Sequence, residues 1–204
     1  MTVCTVETTS IIFHDLLKTS ESKIFLVSEL QEISRNMDAM SLCLPHEAPP
    51  IVRISARGKE LPASKLDATH NRGNKGIWQD PHQRIASFAD LCFSSSLSPS
   101  PPDAIVVGGH SAWFKTFFSK YLGSSTQHAC TRQKLCNAGV VAFKLQRGEI
   151  GGRVLYRVRP ESIQVVHGHF GSKYKDEEEE EEKEKEKEEK EEERKKQKGK
   201  RKAG

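Results

Sequence analysis

The sequence predicts an α/β domain, a three-layer arrangement in which a mostly parallel sheet carries helices on both faces. Three observations point there. Short unbroken apolar runs stand at 24–27 and 104–107, with a further strand-like stretch at 139–145; segments between them repeat apolar residues with helical spacing; and the two patterns alternate along the chain. Strands covered on both faces read as continuous apolar runs, because neither side of the pleat meets water.

Taken in order, Thr9 or Ser10 is expected to cap a short helix whose Ile12, Phe13, Leu16 and Leu17 share one face, with 18–23 turning the chain. The strand at 24–27 then ends in the polar stretch Ser28-Glu29-Leu30-Gln31-Glu32-Ile33-Ser34-Arg35-Asn36. Residues 44–76 are rich in Pro, Gly, Asn and Ser and read as an irregular excursion, apart from a strand expected at 51–55. Asn71 and Asn74, near its end, read as turn residues before they read as a site. Asp80 before Pro81 is the favoured cap and first-turn pair, and Ile85, Phe88, Ala89 and Cys92 follow at one-face spacing. The Ser/Pro-rich stretch 94–102 stops that helix.

After the strand at 104–107, Gly108-Gly109 makes a tight exit into a helix whose stripe is Trp113, Phe114, Phe117, Phe118, Tyr121 and Leu122, a core face. Strands are expected at 139–145 and 154–158, separated by a turn at Arg147-Gly148, and another at 163–166. Two regions result: a domain over 1–172 and a low-complexity tail over 173–204. The tail holds 13 Lys/Arg against 14 Asp/Glu and almost nothing apolar, so it has no core to join. Within it, Glu179 with Lys183 and Glu186 with Lys190 are spaced to pair on a transient helix.

The five cysteines, Cys4, Cys43, Cys92, Cys130 and Cys136, follow no CxxC or paired spacing and read as reduced thiols. No apolar run approaches membrane-spanning length, and the first residues lack a leader pattern. The expectation is an intracellular, cytoplasmic protein with no membrane partner and no metal or other cofactor. The basic end 194–202 suits nuclear localisation or nucleic-acid contact, although no aromatic residues interleave it for base stacking.

The junction Gly108-Gly109-His110-Ser111 carries the most chemistry. It sets a histidine where a strand hands over to a helix, and unpaired amides and the dipole at a helix N-terminus favour an anion. Ser111 would cap the helix while His110 faces the ligand; the plainer alternative is a loop histidine without a role.

The run Ala104-Ile-Val-Val-Gly-Gly-His-Ser111, the aromatic helix after it, and Cys136-Asn137-Ala138-Gly139-Val140-Val141-Ala142-Phe143 resemble the latter part of the histidine phosphatase superfamily, the phosphoglycerate mutase-like family. Leu30-Gln31-Glu32 after its strand is similar to that family's acid-bearing segment. The resemblance implies phosphoryl transfer or phosphomonoester hydrolysis through a phosphohistidine on a phosphorylated small molecule or phosphoprotein. His110 takes the second-histidine role and Glu32 the acid role. Ser111, Asn137 and Arg35 are the residues expected to bind substrate, with a turn as the alternative for Asn137 and an exposed loop arginine for Arg35.

The family's nucleophile lies in an Arg-His-Gly motif after a first strand, and none of the eight histidines here stands in one. Its second arginine, four residues before a threonine, is replaced by Thr5 ahead of Thr9 and by Cys4 ahead of Thr8. The expectation is a chain that is incomplete or degenerate at its N-terminal end, inactive for want of a nucleophile, with strands left lacking a neighbour. The alternatives are a non-catalytic phosphate-binding or protein-interaction module, or a nucleic-acid-associated protein acting through the tail. Because the tail can bury no apolar surface, deleting 173–204 is expected to leave the unfolding free energy, measured by urea titration, within about 0.5 kcal/mol of the full chain.

Overall fold

Where apolar side chains recur every three to four residues the chain coils, and where they run on unbroken it extends, but extended runs become strands only if a neighbour pairs with them. The computed structural model describes residues 3–33, 44–48, 63–76, 79–97, 102–123 and 125–171. The strand expected at 51–55, Arg35 and the tail lie outside the described residues.

The described chain runs α1 (Val3–Ile12), α2 (His14–Thr19), β1 (Ile24–Phe25), a 3-10 turn at Ser28–Leu30, a second at Ala63–Lys65, and β2 (Leu66–Asp67). Then follow α3 (Pro81–Cys92), α4 (Ser111–Tyr121), α5 (Ala129–Arg132), β3 (Lys134–Leu135), β4 (Val140–Ala142), β5 (Leu145–Ile150) and β6 (Arg153–Val158). A 3-10 turn at Pro160–Ser162, β7 (Gln164–His167) and β8 (Phe170–Gly171) complete it. The class is mixed helix and strand. Among the described residues the strands form four separate pairs, of which only β1–β2 is parallel; β3–β8, β4–β7 and β5–β6 are antiparallel.

Several local expectations need correction. Thr9 and Ser10 do not cap the first helix; they lie inside α1, where the Thr9 hydroxyl donates to the Thr5 carbonyl one turn back at 2.9 Å. A threonine hydroxyl can satisfy that carbonyl within a helix, so its presence does not mark a start. The helix is interrupted at Phe13, and of the anticipated apolar face Leu17 is buried while Ile12 and Leu16 are exposed. Arg147-Gly148 is no turn. Both residues lie within β5, and the hairpin instead reverses at Gly151-Gly152, each with positive φ (57° and 74°). Positive φ at both positions is what one of the two common two-residue hairpin turns requires, and glycine adopts it without strain.

The 104–107 run is not a strand. Among the described residues no backbone hydrogen bond joins it to another segment, and Val106 is 68% exposed. Its apolar sequence supplies a strand's side chains, but no neighbouring edge supplies the ladder.

The core lies between α3 and α4. Asp80 caps α3 by accepting the His82 N–H at 2.9 Å, with Pro81 in the first turn, and Ile85, Phe88 and Ala89 face inward. Opposite them, α4 buries Trp113, Phe117, Phe118 and Tyr121. Phe88 meets Trp113 edge-on at 5.2 Å between ring centres, Trp113 stacks on Phe117 at 5.3 Å, and Phe143 closes on Phe118 at 5.0 Å. Ring pairs of this kind add about 0.5–1.5 kcal/mol each beyond their buried area. Val27 and Leu30 bring the end of the β1 segment into the same cluster, and Val158 brings in β6. Ile85, with no exposed surface, and Ile150, 71% exposed at the hairpin tip, should therefore respond differently to truncation. Ile85→Ala is expected to lower stability by about 2–5 kcal/mol, and Ile150→Ala to leave it within about 0.5 kcal/mol, both read from urea midpoints.

Candidate functional site

Two segments distant in sequence meet here. The first follows β1: Leu26 N–H donates to the Asp67 carbonyl at 2.8 Å and Ser28 N–H to the His70 carbonyl at 3.2 Å, so the chain runs beside β2 before turning through Ser28–Leu30. Buried Leu30 anchors that turn, and Glu32 stands two residues beyond it. The second segment enters α4. His110, not Ser111, occupies the cap position with extended backbone (φ −104°, ψ 142°), and makes no side-chain capping bond; Ser111 is the first residue of the helix. The difference frees the imidazole for contacts across the fold. The first intrahelical bond is Phe114 N–H to the His110 carbonyl at 3.1 Å, so the amides of Ser111, Ala112 and Trp113 belong to the open first turn.

Trp113 links the two segments: its indole N–H donates to the Glu29 carbonyl at 2.8 Å while its ring fills the core. His110 Nδ1 then lies 3.4 Å from Glu32 Oε2, with the two side chains 15% and 19% exposed. Glu32 Oε1 accepts the Ile33 N–H at 2.7 Å, which fixes the carboxylate. On the other side of the ring, Nε2 lies 3.2 Å from the Thr5 hydroxyl of α1. With Nδ1 protonated towards the carboxylate, Nε2 accepts that hydroxyl. Helix α1 also explains Gly108, since a Cβ there would come within 2.3 Å of Thr9 Oγ1.

Around the pair stand charges that the sequence did not single out. The Lys75 ammonium donates to the Glu32 carbonyl. Arg84, buried on α3, donates through Nη1 to the Gln31 carbonyl at 2.9 Å. Burial pushes both cations below their ordinary pKa; for Lys75 the Arg84 charge acts in the same direction and Glu32 opposes, while for Arg84 both Glu29 and Glu32 oppose. Burial likewise lowers the pKa of His110, with the Lys75 charge adding to the effect and the Glu32 carboxylate working against it.

The structure thus brings together His110 and Glu32, with Ser111 next to the first. Asn137 is exposed in the turn between β3 and β4, and no described contact joins it to His110 or Glu32. Thr5, Lys75 and Arg84 are the additions. Arg84 was detectable in principle: it falls on the Ile85-Phe88-Ala89 stripe of α3, and a charge on a core stripe signals a buried polar partner. Lys75 carried no such mark inside its turn-like stretch. Asn71 turns out to be buried scaffolding. Among the described residues no helix is long and apolar enough to cross a membrane, and no group of three or more His, Cys, Asp or Glu is placed to hold a metal ion. Cys92, Cys130 and Cys136 are free thiols, and burial raises Cys92 and Cys130 to about 11.

Compared with protein-family models, curated proteins and solved structures, the chain matches none.

The depressed His110 pKa has a consequence for folding. Its neutral form is favoured in the folded state, so the unfolded chain takes up the proton first as pH falls below the ordinary value of 6.5. This contribution to stability is complete above pH 6.5 and is lost as pH drops through the folded value. In urea titrations at pH 7.5, 6.5 and 5.5, wild type should lose stability on acidification and His110→Gln should lose less; equal slopes would contradict the buried, neutral ring.

Proposed function

We propose that this chain is a histidine-phosphatase-like domain whose His110–Glu32 pair marks a site that recognises a phosphate group. The observation that carries the reading is that a histidine at the head of an eleven-residue helix and a carboxylate from the end of the β1 segment stand 3.4 Å apart, mostly buried, beside open first-turn amides. Backbone amides at a helix N-terminus suit a phosphate's oxygens, and the histidine and carboxylate beside them are the residue types that bond such a group or its hydroxyls.

The ligand in this reading is a phosphorylated small molecule or a phosphoprotein. Binding and transfer part company in this sequence. A phosphohistidine requires a nucleophilic imidazole opposite the leaving oxygen, and no histidine here stands in the Arg-His-Gly setting that serves that purpose in the family. His110 itself is engaged by Glu32 and Thr5. The proposal is therefore phosphate recognition without a covalent intermediate. Ile105 and Val106, exposed and without a backbone hydrogen bond among the described residues, fit the accompanying fold reading, an incomplete three-layer, mostly parallel sheet, in that they are an apolar strand-like segment without a neighbour.

Titration calorimetry of the full chain with inorganic phosphate tests the reading. His110→Ala is expected to weaken binding by about ten- to a hundredfold, as befits loss of one hydrogen bond to a charged ligand. Equal affinity in the variant, or no binding by wild type, would rule it out.

A further inference from the structure

The 71–76 loop is fastened to the Glu32 segment by buried polar groups. Gln31 has no exposed surface; its Nε2 donates to the Gly73 carbonyl at 2.7 Å and its Oε1 accepts the Lys75 N–H at 2.8 Å. Buried Asn71 donates to the carbonyls of Leu44 and Glu47 at 3.0 and 2.7 Å, and accepts the Gly73 N–H at 3.1 Å. Gly73 itself takes a φ of +80°, and a Cβ there would lie 2.9 Å from Pro45 Cγ. Such fixation of a short loop leaves one chemically active product: the Lys75 ammonium is held against the main chain of Glu32, whose carboxylate faces His110.

Arg84 and Lys75 differ in role. Arg84 is 95% buried, bonded to Gln31, and faces the charges of Glu29 and Glu32; its Nε and the Glu29 Oε2 are both buried without a hydrogen-bond partner among the described residues. Lys75 is only half-buried, and its charge reaches the His110 ring. Arg72 Nη1 lies 3.9 Å from Glu29 Oε1 and Arg84 is bonded at Gln31, so of these three cations Lys75 is the one held at Glu32 itself, next to His110.

We propose that Lys75 is the ligand-binding cation of this site, supplying the positive charge against which phosphate is held beside His110 and Glu32. The inference rests on the phosphate reading above and adds to it the residue that matches the ligand's charge. It also accounts for the buried investment in Gln31, Asn71 and Gly73, which keeps a flexible lysine close to where it is needed and reduces the entropy lost when it engages an anion.

Inorganic phosphate is again the probe, on the full chain. Lys75→Met is expected to weaken binding roughly tenfold or more, and Lys75→Arg to stay within about threefold of wild type. Wild-type affinity in Lys75→Met, with His110→Ala still weakened, would overturn the lysine's role and leave the histidine pair standing; no binding by wild type would overturn both. An equal loss in Lys75→Arg and Lys75→Met would assign the lysine to the framework and also overturn the proposal. A measurement on wild type avoids any folding defect: saturating phosphate should slow acetylation of Lys75 by acetic anhydride severalfold, read by peptide mass spectrometry, and an unchanged rate would overturn the proposal.

Discussion

The hydrogen bond from the Trp113 indole to the Glu29 carbonyl, made by a ring wedged between Phe88 and Phe117, is the constraint on which the rest turns. Without it the helix that begins at Ser111 and the segment that ends at Glu32 would be two pieces of chain packed on the same core with no fixed offset. The bond sets that offset, because an indole donor buried without its acceptor would forfeit about 1–3 kcal/mol. The His110–Glu32 separation is the visible result. A core tryptophan thereby acts as a ruler for polar groups that it does not touch.

Around that ruler the charged groups are graded by depth. Arg84 sits at the bottom, hydrogen-bonded and buried, while Glu32, His110 and Lys75 are intermediate. Depth controls protonation through solvation, and burial is the leading reason that His110, Lys75 and Arg84 are all less readily charged here than in water. The site is thus polar in composition yet poorly solvated, a condition in which an arriving anion meets stronger electrostatics than it would at an open surface.

How much of this could be read from residues alone depended on how local the causes were. Asp80 with Pro81, and the stripes of α3 and α4, were legible because capping and helical periodicity act within a few residues. His110 and Glu32 were singled out as a pair only through a resemblance of the motifs around them; the structure sets the two side chains 3.4 Å apart, and the cap position passed from Ser111 to His110. The pairing of strands was not legible. Apolar runs announce extended chain but not the partner or its direction, so an expectation of a mostly parallel sheet met one parallel and three antiparallel pairs among the described residues. The Gly151-Gly152 reversal went unread because Arg147-Gly148 offered a rival glycine within the same run, and only the backbone angles separate them. Lys75 depends on bonds from Gln31 and Asn71 that span 44 and 27 residues, and nothing in the local pattern encodes them.

The unpaired run ahead of the Gly-Gly turn has a bearing on how this chain behaves in company. Between Asp103 and Lys115 there is no charged side chain, and Ile105 and Val106 face outward beside main-chain donors and acceptors that no described neighbour engages. Folded proteins ordinarily blunt such edges with charge, proline or a covering element. Here the same few residues that deliver His110 to its place also present a template on which another extended chain can build. Solubility and site assembly are therefore properties of one segment: changes that make the run more polar to discourage self-association act directly on the approach to the histidine, and the two demands are in competition along a stretch of four residues.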